Sequence, residues 1–207
     1  MHLQGYSDRI HHALAFAAKH YPARVSRYDR HSCLIRASSV AVILARFGAD
    51  ECTIVSSILK LLYDSCTHGR QQTLGTEIGA KFGVQVAHVV EAAAEPKYDV
   101  LGRERTWKAC RFEYLARLMT APSRAMDVCV ADELHAVGAA LVEIRRLGVE
   151  YHQQAGVPNG EDTSWWHRGL IDLATSHPTW NRLEMLIELK RITRELNERF
   201  DSRGLDA

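Results

Sequence analysis

Apolar side chains recur along the chain at spacings of three and four residues, which is the period of an α-helix. Ser7 and Asp8 can cap a first helix whose apolar face is Ile10, Leu14 and Ala17. The same period predicts further helices at about 38–46, 51–63, 76–82, 84–94, 107–119, 126–147, 164–176 and 179–199. Because the alternation typical of strands is nearly absent, the predicted fold class is all-α.

Polar segments are expected to separate these helices. THGRQQT (67–73) and EPKYDVLGRERT (95–106) are read as loops, and RERTWK (103–108) as a solvated face. QQAGVPNGEDT (153–163) holds turn formers and acids, so it is the candidate for a surface loop or hinge. We expect residues 1–207 to form a single helical domain, with C-terminal helices within 164–200 packed on the core.

Composition narrows the class of protein. The 46% hydrophobic and 25% charged content excludes a disordered chain, and 207 residues suffice for one substantial core. The N-terminal residues do not form a secretory signal, and no segment approaches the roughly 20 apolar residues of a membrane span. We therefore expect a cytoplasmic protein with no membrane partner.

Charge and cysteine spacing exclude several kinds of site. A net charge of +1 argues against a nucleic acid partner, although local arginine clusters could bind a small anion. The five cysteines form no C-x-x-C pair, which favours buried free thiols over a zinc or redox motif. No Ser-His-Asp order, P-loop or Gly-x-Gly-x-x-Gly pattern occurs.

Lys60 lies in the middle of TIVSSILKLLYDS (53–65), an apolar stretch of the kind that a globular domain buries. A lysine at such a position either extends its stem to solvent or meets an anion inside the protein. The hydrophobic pattern by itself leaves both interpretations open.

Four segments follow one another in a recognisable order: FAAKHYPARVSR (16–27), SCLIRASSVAVIL (32–44), TIVSSILKLLYDS (53–65) and VCVADELHAVGAALVEIRRLG (128–148). They resemble the HD-domain phosphohydrolases, most closely the alarmone (guanosine tetraphosphate) hydrolases of the RelA/SpoT class and their small stand-alone relatives. The corresponding family motifs are FAxxKHxxQxR, PYIxHPxxVAxIL, TIxAALLHDxxED and KxADRLHNxxxL. The resemblance spans about Ala13 to Asn197 and implies a helical bundle of the HD-domain type.

The resemblance also implies a metal site that this chain has largely lost. In the family, the His of the HP motif, the His and Asp of the HD pair and a distal Asp hold a divalent cation that activates water. The first histidine falls on Arg36 and the HD pair on Lys60 and Leu61, so only the distal ligand is retained, as Asp132. Arginine stays protonated in proteins, and lysine would have to lose its charge to bind a metal. No metal and no other cofactor is therefore expected.

If the fold is kept, Arg36 and Lys60 should project toward Asp132 and take the place of the metal. Such pairing would neutralise a carboxylate whose burial alone costs several kcal/mol. In the alternative, each substitution is independent and Lys60 points to solvent. Of the acidic pair that follows HD in the family, only the first member is kept, as Asp64.

These inferences indicate a degenerate HD-domain protein that lacks metal-dependent hydrolysis and has no assigned catalytic residue. It would act in regulation by binding a nucleotide or phosphorylated small molecule in the former active-site pocket, or a protein partner; a homo-oligomer is left open. The residues expected to line that ligand site are Arg24, Arg27, Arg36, Lys60, Asp64 and Asp132. For Arg24 and Arg27 a solvated basic turn is the plainer alternative. The competing function is an active (p)ppGpp or nucleotide phosphohydrolase with altered metal ligands.

Overall fold

Helices form nearly all the regular structure of this protein. The computed structural model describes residues 7–20, 33–148, 151 and 160–201. Its helices are α1 (Asp8–His20), α2 (Cys33–Arg46), α3 (Glu51–Asp64), α4 (His68–Phe82), α5 (Val84–Ala93), α6 (Trp107–Leu118), α7 (Ser123–Leu147), α8 (Gly160–Ser176) and α9 (Leu183–Asp201). Within those ranges no strand forms, and the only β pairing is an isolated antiparallel bridge between Tyr98 and Glu104. The predicted all-α class is confirmed.

Helix α3 lies at the centre of the fold. All of its residues except Glu51 and Tyr63 are buried, because α1, α2, α4, α5 and α7 pack around it. The Asp50 carboxylate caps the helix by accepting a hydrogen bond of 2.8 Å from the Thr53 N–H. A helix buried on every side must satisfy its polar side chains within the protein.

Helix α2 begins at Cys33, five residues before the predicted start. The prediction placed the start near Ser38, although the preceding Leu34 and Ile35 are apolar. The earlier start puts Arg36 on the first turn of the helix, and α2 packs against both α3 and α7. This extension places the partly buried Arg36 side chain beside α7.

Two predicted loops are partly helical. Helix α4 begins at His68, so the interpretation of THGRQQT as a loop is wrong. Its polar first turns are held by tertiary contacts, since Gln71 is buried and donates from Nε2 to the Tyr63 carbonyl at 3.2 Å. Helix α8 begins at Gly160, so residues 160–163 of the predicted surface loop are helical as well. Residues 153–159 of that segment lie outside the described residues.

The C-terminal helices pack on the rest of the bundle, α8 against α6 and α9 against α7. Trp166 and Trp180 are buried, and the Trp180 indole donates to Asp127 Oδ1 at 2.7 Å. Along the described ranges, no helix combines the length and apolarity needed to cross a membrane. The assignment of residues 1–207 to one domain stays a prediction.

Candidate functional site

A buried ion network lies where α2, α3 and α7 meet. Lys60 donates from Nζ to Asp132 Oδ2 at 2.8 Å, and Arg36 donates from Nε and Nη2 to Asp132 Oδ1 at 2.9 and 2.7 Å. Only 1% of Lys60 and 6% of Asp132 is exposed. The predicted pairing of both cations with Asp132 is therefore confirmed, and the alternative in which Lys60 points to solvent is wrong.

Lys60 also faces a second carboxylate. Asp64 lies four residues further along α3, on the same face of the helix, and its Oδ2 is 2.9 Å from Lys60 Nζ. Asp132 approaches from the buried middle of α7, so the ammonium group lies between carboxylates of two helices. Three of the four described residues expected at the site thus meet at one point, and Arg36 joins them through Asp132.

Electrostatics keep the central pair ionised. Burial on its own would raise the pKa of Asp132, but the positive charges of Arg36 and Lys60 outweigh it and hold that pKa well below its usual range. Burial likewise disfavours a charged lysine, but Asp132 and Asp64 raise the pKa of Lys60 well above its ordinary value. Both pKa shifts keep Lys60 and Asp132 charged at neutral pH.

Asp64 connects this network to the segment between α5 and α6, residues 94–106, which we call the 94–106 loop. Its Oδ1 accepts a hydrogen bond of 3.1 Å from the Glu95 N–H, and its backbone carbonyl accepts one of 2.7 Å from Lys97 Nζ. Burial raises the pKa of Asp64 more than neighbouring Lys60 lowers it. Asp64 therefore serves both the ion network and the anchoring of the loop.

The ion network lines a cleft of about 1060 Å³ that extends to α6 and α8. In that part of the cleft, Arg111 pairs with Glu95 at 3.0 Å and its guanidinium lies 4.5 Å from the centre of the Trp166 ring. His167 Nε2 is 3.0 Å from Glu133 Oε1, so an ionised Glu133 accepts a hydrogen bond from the imidazole. These contacts pair the charged groups at the α6 and α8 end of the cleft.

Positive and negative groups balance in the lining of the cleft. Its cations are Arg36, Lys60, Lys97, Arg105 and Arg111, and its carboxylates are Asp64, Glu95, Glu104, Asp132 and Glu133. The cleft therefore carries no overall positive charge. Whether a part of it attracts an anion depends on which cations lack a carboxylate partner.

The predicted site residues are only partly within the described chain. Arg36, Lys60, Asp64 and Asp132 come together as expected, whereas Arg24 and Arg27 lie outside the described residues. Sequence reasoning missed Lys97, Arg111 and the Glu133–His167 pair. It also placed Arg105 on a solvated face, which is wrong because Arg105 lines the cleft. Of these positions only Glu133 falls within a family motif, next to Asp132, whereas tertiary packing brings the others to the site.

The residues at this point do not fit the divalent cation of the related hydrolases. Both oxygens of Asp132 are already held by cations, and Leu61 contributes no ligand atom. Among the described residues, no three or more His, Cys, Asp or Glu side chains are grouped so that they could hold a metal ion. The chemistry of this donor set is that of an ion pair.

The described residues form an all-α bundle with a charged cleft. A family model for the HD domain matches residues 13–143, more than half of the chain, and the chain belongs to that family. The resemblance found in the sequence motifs is thereby confirmed at the level of the family.

Two solved structures share the fold. That of lmo0812 from Listeria monocytogenes EGD-e superposes with a TM-score of 0.64 at 18% identity, over 79% of this chain and 99% of that chain. A metazoan ortholog of SpoT that hydrolyses ppGpp superposes with a TM-score of 0.69 at 14% identity, over 92% and 96%. A comparison with curated proteins finds no match. At these identities the likeness concerns the fold.

Proposed function

We propose that this protein is a degenerate HD-domain protein that binds a nucleotide or another phosphorylated small molecule in a regulatory role, without metal-dependent hydrolysis. The observation that carries the proposal is the buried network of Arg36, Asp132 and Lys60. In this network Arg36 and Lys60 hold both oxygens of Asp132. Asp132 is the one metal-ligand position of the family that this chain retains.

The cleft supports a small-molecule ligand. A volume of about 1060 Å³ suits a nucleotide-sized molecule, and guanidinium and ammonium groups suit phosphate oxygens. A relative with the same fold acts on ppGpp, which makes guanine phosphates the first compounds to test. Such compounds are present in the cytosol, the location predicted from the sequence.

Hydrolysis and metal content separate this proposal from an active phosphohydrolase with altered ligands. We expect elemental analysis of the purified protein to find no stoichiometric manganese, iron or zinc, and we expect added Mn²⁺ to produce no hydrolysis of ppGpp. Stoichiometric metal together with turnover would overturn the proposal in favour of the enzyme.

Ligand binding has a separate test. Thermal-shift measurements with guanine and adenine phosphates should show stabilisation of the wild type that Arg24→Ala abolishes. Arg194→Ala, on the exposed side of α9, is the matched control and should keep the full shift. A flat response of the wild type to every compound would instead favour a protein partner or a purely structural role.

A further inference from the structure

The 94–106 loop brings two cations to the cleft side by side. The Arg105 N–H donates to the Lys97 carbonyl at 2.7 Å, and the Asp99 N–H donates to the Arg103 carbonyl at 2.9 Å, so the two arms of the loop are paired. Lys97 and Arg105 face each other across this pairing, and both line the cleft.

These two cations differ from the others in the cleft because their direct hydrogen-bond partners are uncharged carbonyls, while Asp64 and Glu95 act on Lys97 only through space. Lys97 donates from Nζ to the Asp64 carbonyl at 2.7 Å. Arg105 donates from Nη1 to the carbonyls of Pro96, at 3.0 Å, and Tyr98. Across the described part of the chain, neither has a carboxylate oxygen within 4.0 Å. Their remaining N–H groups are thus available to an anion.

The deeper cations are already compensated. Lys60 lies between two carboxylates, Arg36 holds Asp132, and Arg111 holds Glu95. An anion placed there would have to displace a buried carboxylate from its partner, which is costly. Glu104 is the loop's own opposing charge in the cleft lining, and it is exposed. Water screens an exposed carboxylate, so it offsets the loop cations only in part.

Two helix starts add to the attraction for an anion. Helix α6 begins one residue after its cap at Thr106, directly beyond Arg105, and Trp107 on its first turn lines the cleft. Thr67, the N-cap of α4, also lines it, and its side chain makes no capping hydrogen bond. The positive ends of both helices favour negative charge near the two cations.

We propose that Lys97 and Arg105 form the phosphate-binding subsite of the cleft, so that a phosphorylated ligand is held by the 94–106 loop rather than by Arg36 and Lys60. The inference rests on the proposed function, because it assigns the anion contacts within the same cleft. The guanidinium of Arg105 can engage two phosphate oxygens, while the Lys97 ammonium supplies a point charge beside it.

Calorimetric titration of the full chain with inorganic pyrophosphate tests the subsite. The double variant Lys97→Gln/Arg105→Gln should bind pyrophosphate at least about tenfold more weakly than the wild type. Arg103→Gln is the matched control, because Arg103 belongs to the same loop but pairs with Asp99 at 2.7 Å and does not line the cleft. Its affinity should stay within about twofold of the wild type.

Two further variants test whether a loss of affinity comes from the missing charges or from a displaced loop. Lys97→Gln alone removes the charge but keeps a hydrogen-bond donor on a slightly shorter side chain, so affinity should fall while the melting temperature changes little. In Lys97→Arg/Arg105→Lys the charges remain, so most of the affinity should return. Melting temperature and circular dichroism report the folding of each variant.

The outcomes distinguish this inference from the proposed function. If nucleotide and pyrophosphate bind but the affinity survives the double substitution, or if Arg103→Gln loses as much, the loop subsite is wrong and the proposed function stands. If the wild type binds neither pyrophosphate nor any nucleotide, both are wrong.

Discussion

Lys60 Nζ and Asp132 Oδ2 are 2.8 Å apart, and less than a tenth of either residue is exposed. A buried pair of this kind adds little net stability over an apolar pair of the same size, because both charges have lost their water. Removing one partner is different, since it leaves the other charge buried and uncompensated. Removing one partner should therefore lower the free energy of unfolding.

Asp132→Ala should lower the free energy of unfolding by about 3 kcal/mol, because the buried Lys60 ammonium keeps only Asp64 of its two carboxylate partners and the partly exposed Arg36 loses its hydrogen bonds to Asp132. Urea unfolding at neutral pH measures the change. Glu188→Ala, which removes an exposed carboxylate paired with Arg191 at 2.8 Å, is the control and should cost less than about 1 kcal/mol. Equal losses in the two variants would show that burial of the network does not matter.

Replacing the cations by the family's ligands should restore metal binding. In Arg36→His, Lys60→His and Leu61→Asp combined, two imidazoles and a carboxylate surround Asp132 in place of two cations. We expect about one Mn²⁺ per chain by elemental analysis after dialysis, against none for the wild type.

The same triple variant with Asp132→Asn is the matched control for that experiment. It keeps the size of the side chain but removes a charged ligand, so its Mn²⁺ affinity should be at least about tenfold weaker. If the triple variant folds but binds no Mn²⁺, then the positions assigned to the metal ligands are wrong.

Acid should destabilise the fold because Glu95 becomes protonated. Burial raises the pKa of Glu95, but Arg111 at 3.0 Å and Lys60 outweigh it, so the pKa drops from 4.5 to about 2. A carboxyl whose pKa is lower in the folded state stabilises the fold above pH 4.5, and this stabilisation is lost as the pH falls toward 2. It amounts to about 3 kcal/mol.

Urea unfolding of the wild type and Glu95→Gln, measured from pH 5 down to about 2, checks this contribution. The variant should be less stable at the upper end and should lose less stability on acidification. In both proteins, protonation of Asp132 also lowers stability in acid, because its pKa is lowered in the folded state. Asp64 has a raised pKa and has the opposite effect. Parallel curves for the two proteins would contradict the prediction.

The buried thiols should be unreactive in the folded protein. Burial raises the pKa of Cys110 to about 11 and that of Cys129 to about 12. At pH 8 only about one Cys110 thiol in a thousand is ionised. Iodoacetamide, followed by mass spectrometry, should label both residues in urea but leave them unmodified in the native state. Rapid native labelling of Cys129 would mean that the cleft opens to its buried side.

The helices could be predicted from the sequence where the local pattern of apolar residues determines them. Helix α3 agrees with the predicted 51–63, because its apolar run is long enough to be a helix that is buried on all sides. The start of α4 did not follow, since the burial of Gln71 and the pairing of Arg70 with Glu77 stabilise residues that are polar by composition. Such contacts depend on neighbours that local patterns do not contain.

The site was predictable only where a motif marked it. Arg36 and Lys60 fall on metal-ligand positions of the HD family, and Asp132 retains one. Their contact could therefore be inferred, although Arg36 and Asp132 are 96 residues apart in the sequence. Lys97 and Arg105 lie in a loop without periodicity, and their place in the cleft depends on the Asp64 contacts. Arg24 and Arg27, outside the described residues, remain predictions.

The way in which Asp132 shares its oxygens between α2 and α3 also constrains how this protein can change by mutation. Changing Lys60 alone removes the cation between Asp132 and Asp64, and changing Leu61 alone to aspartate adds a buried carboxylate before any metal site exists. Either of these two steps, taken alone from the present ion network toward the family's metal-binding set, therefore gives a less stable protein. We expect positions 60 and 61 to change together rather than one at a time.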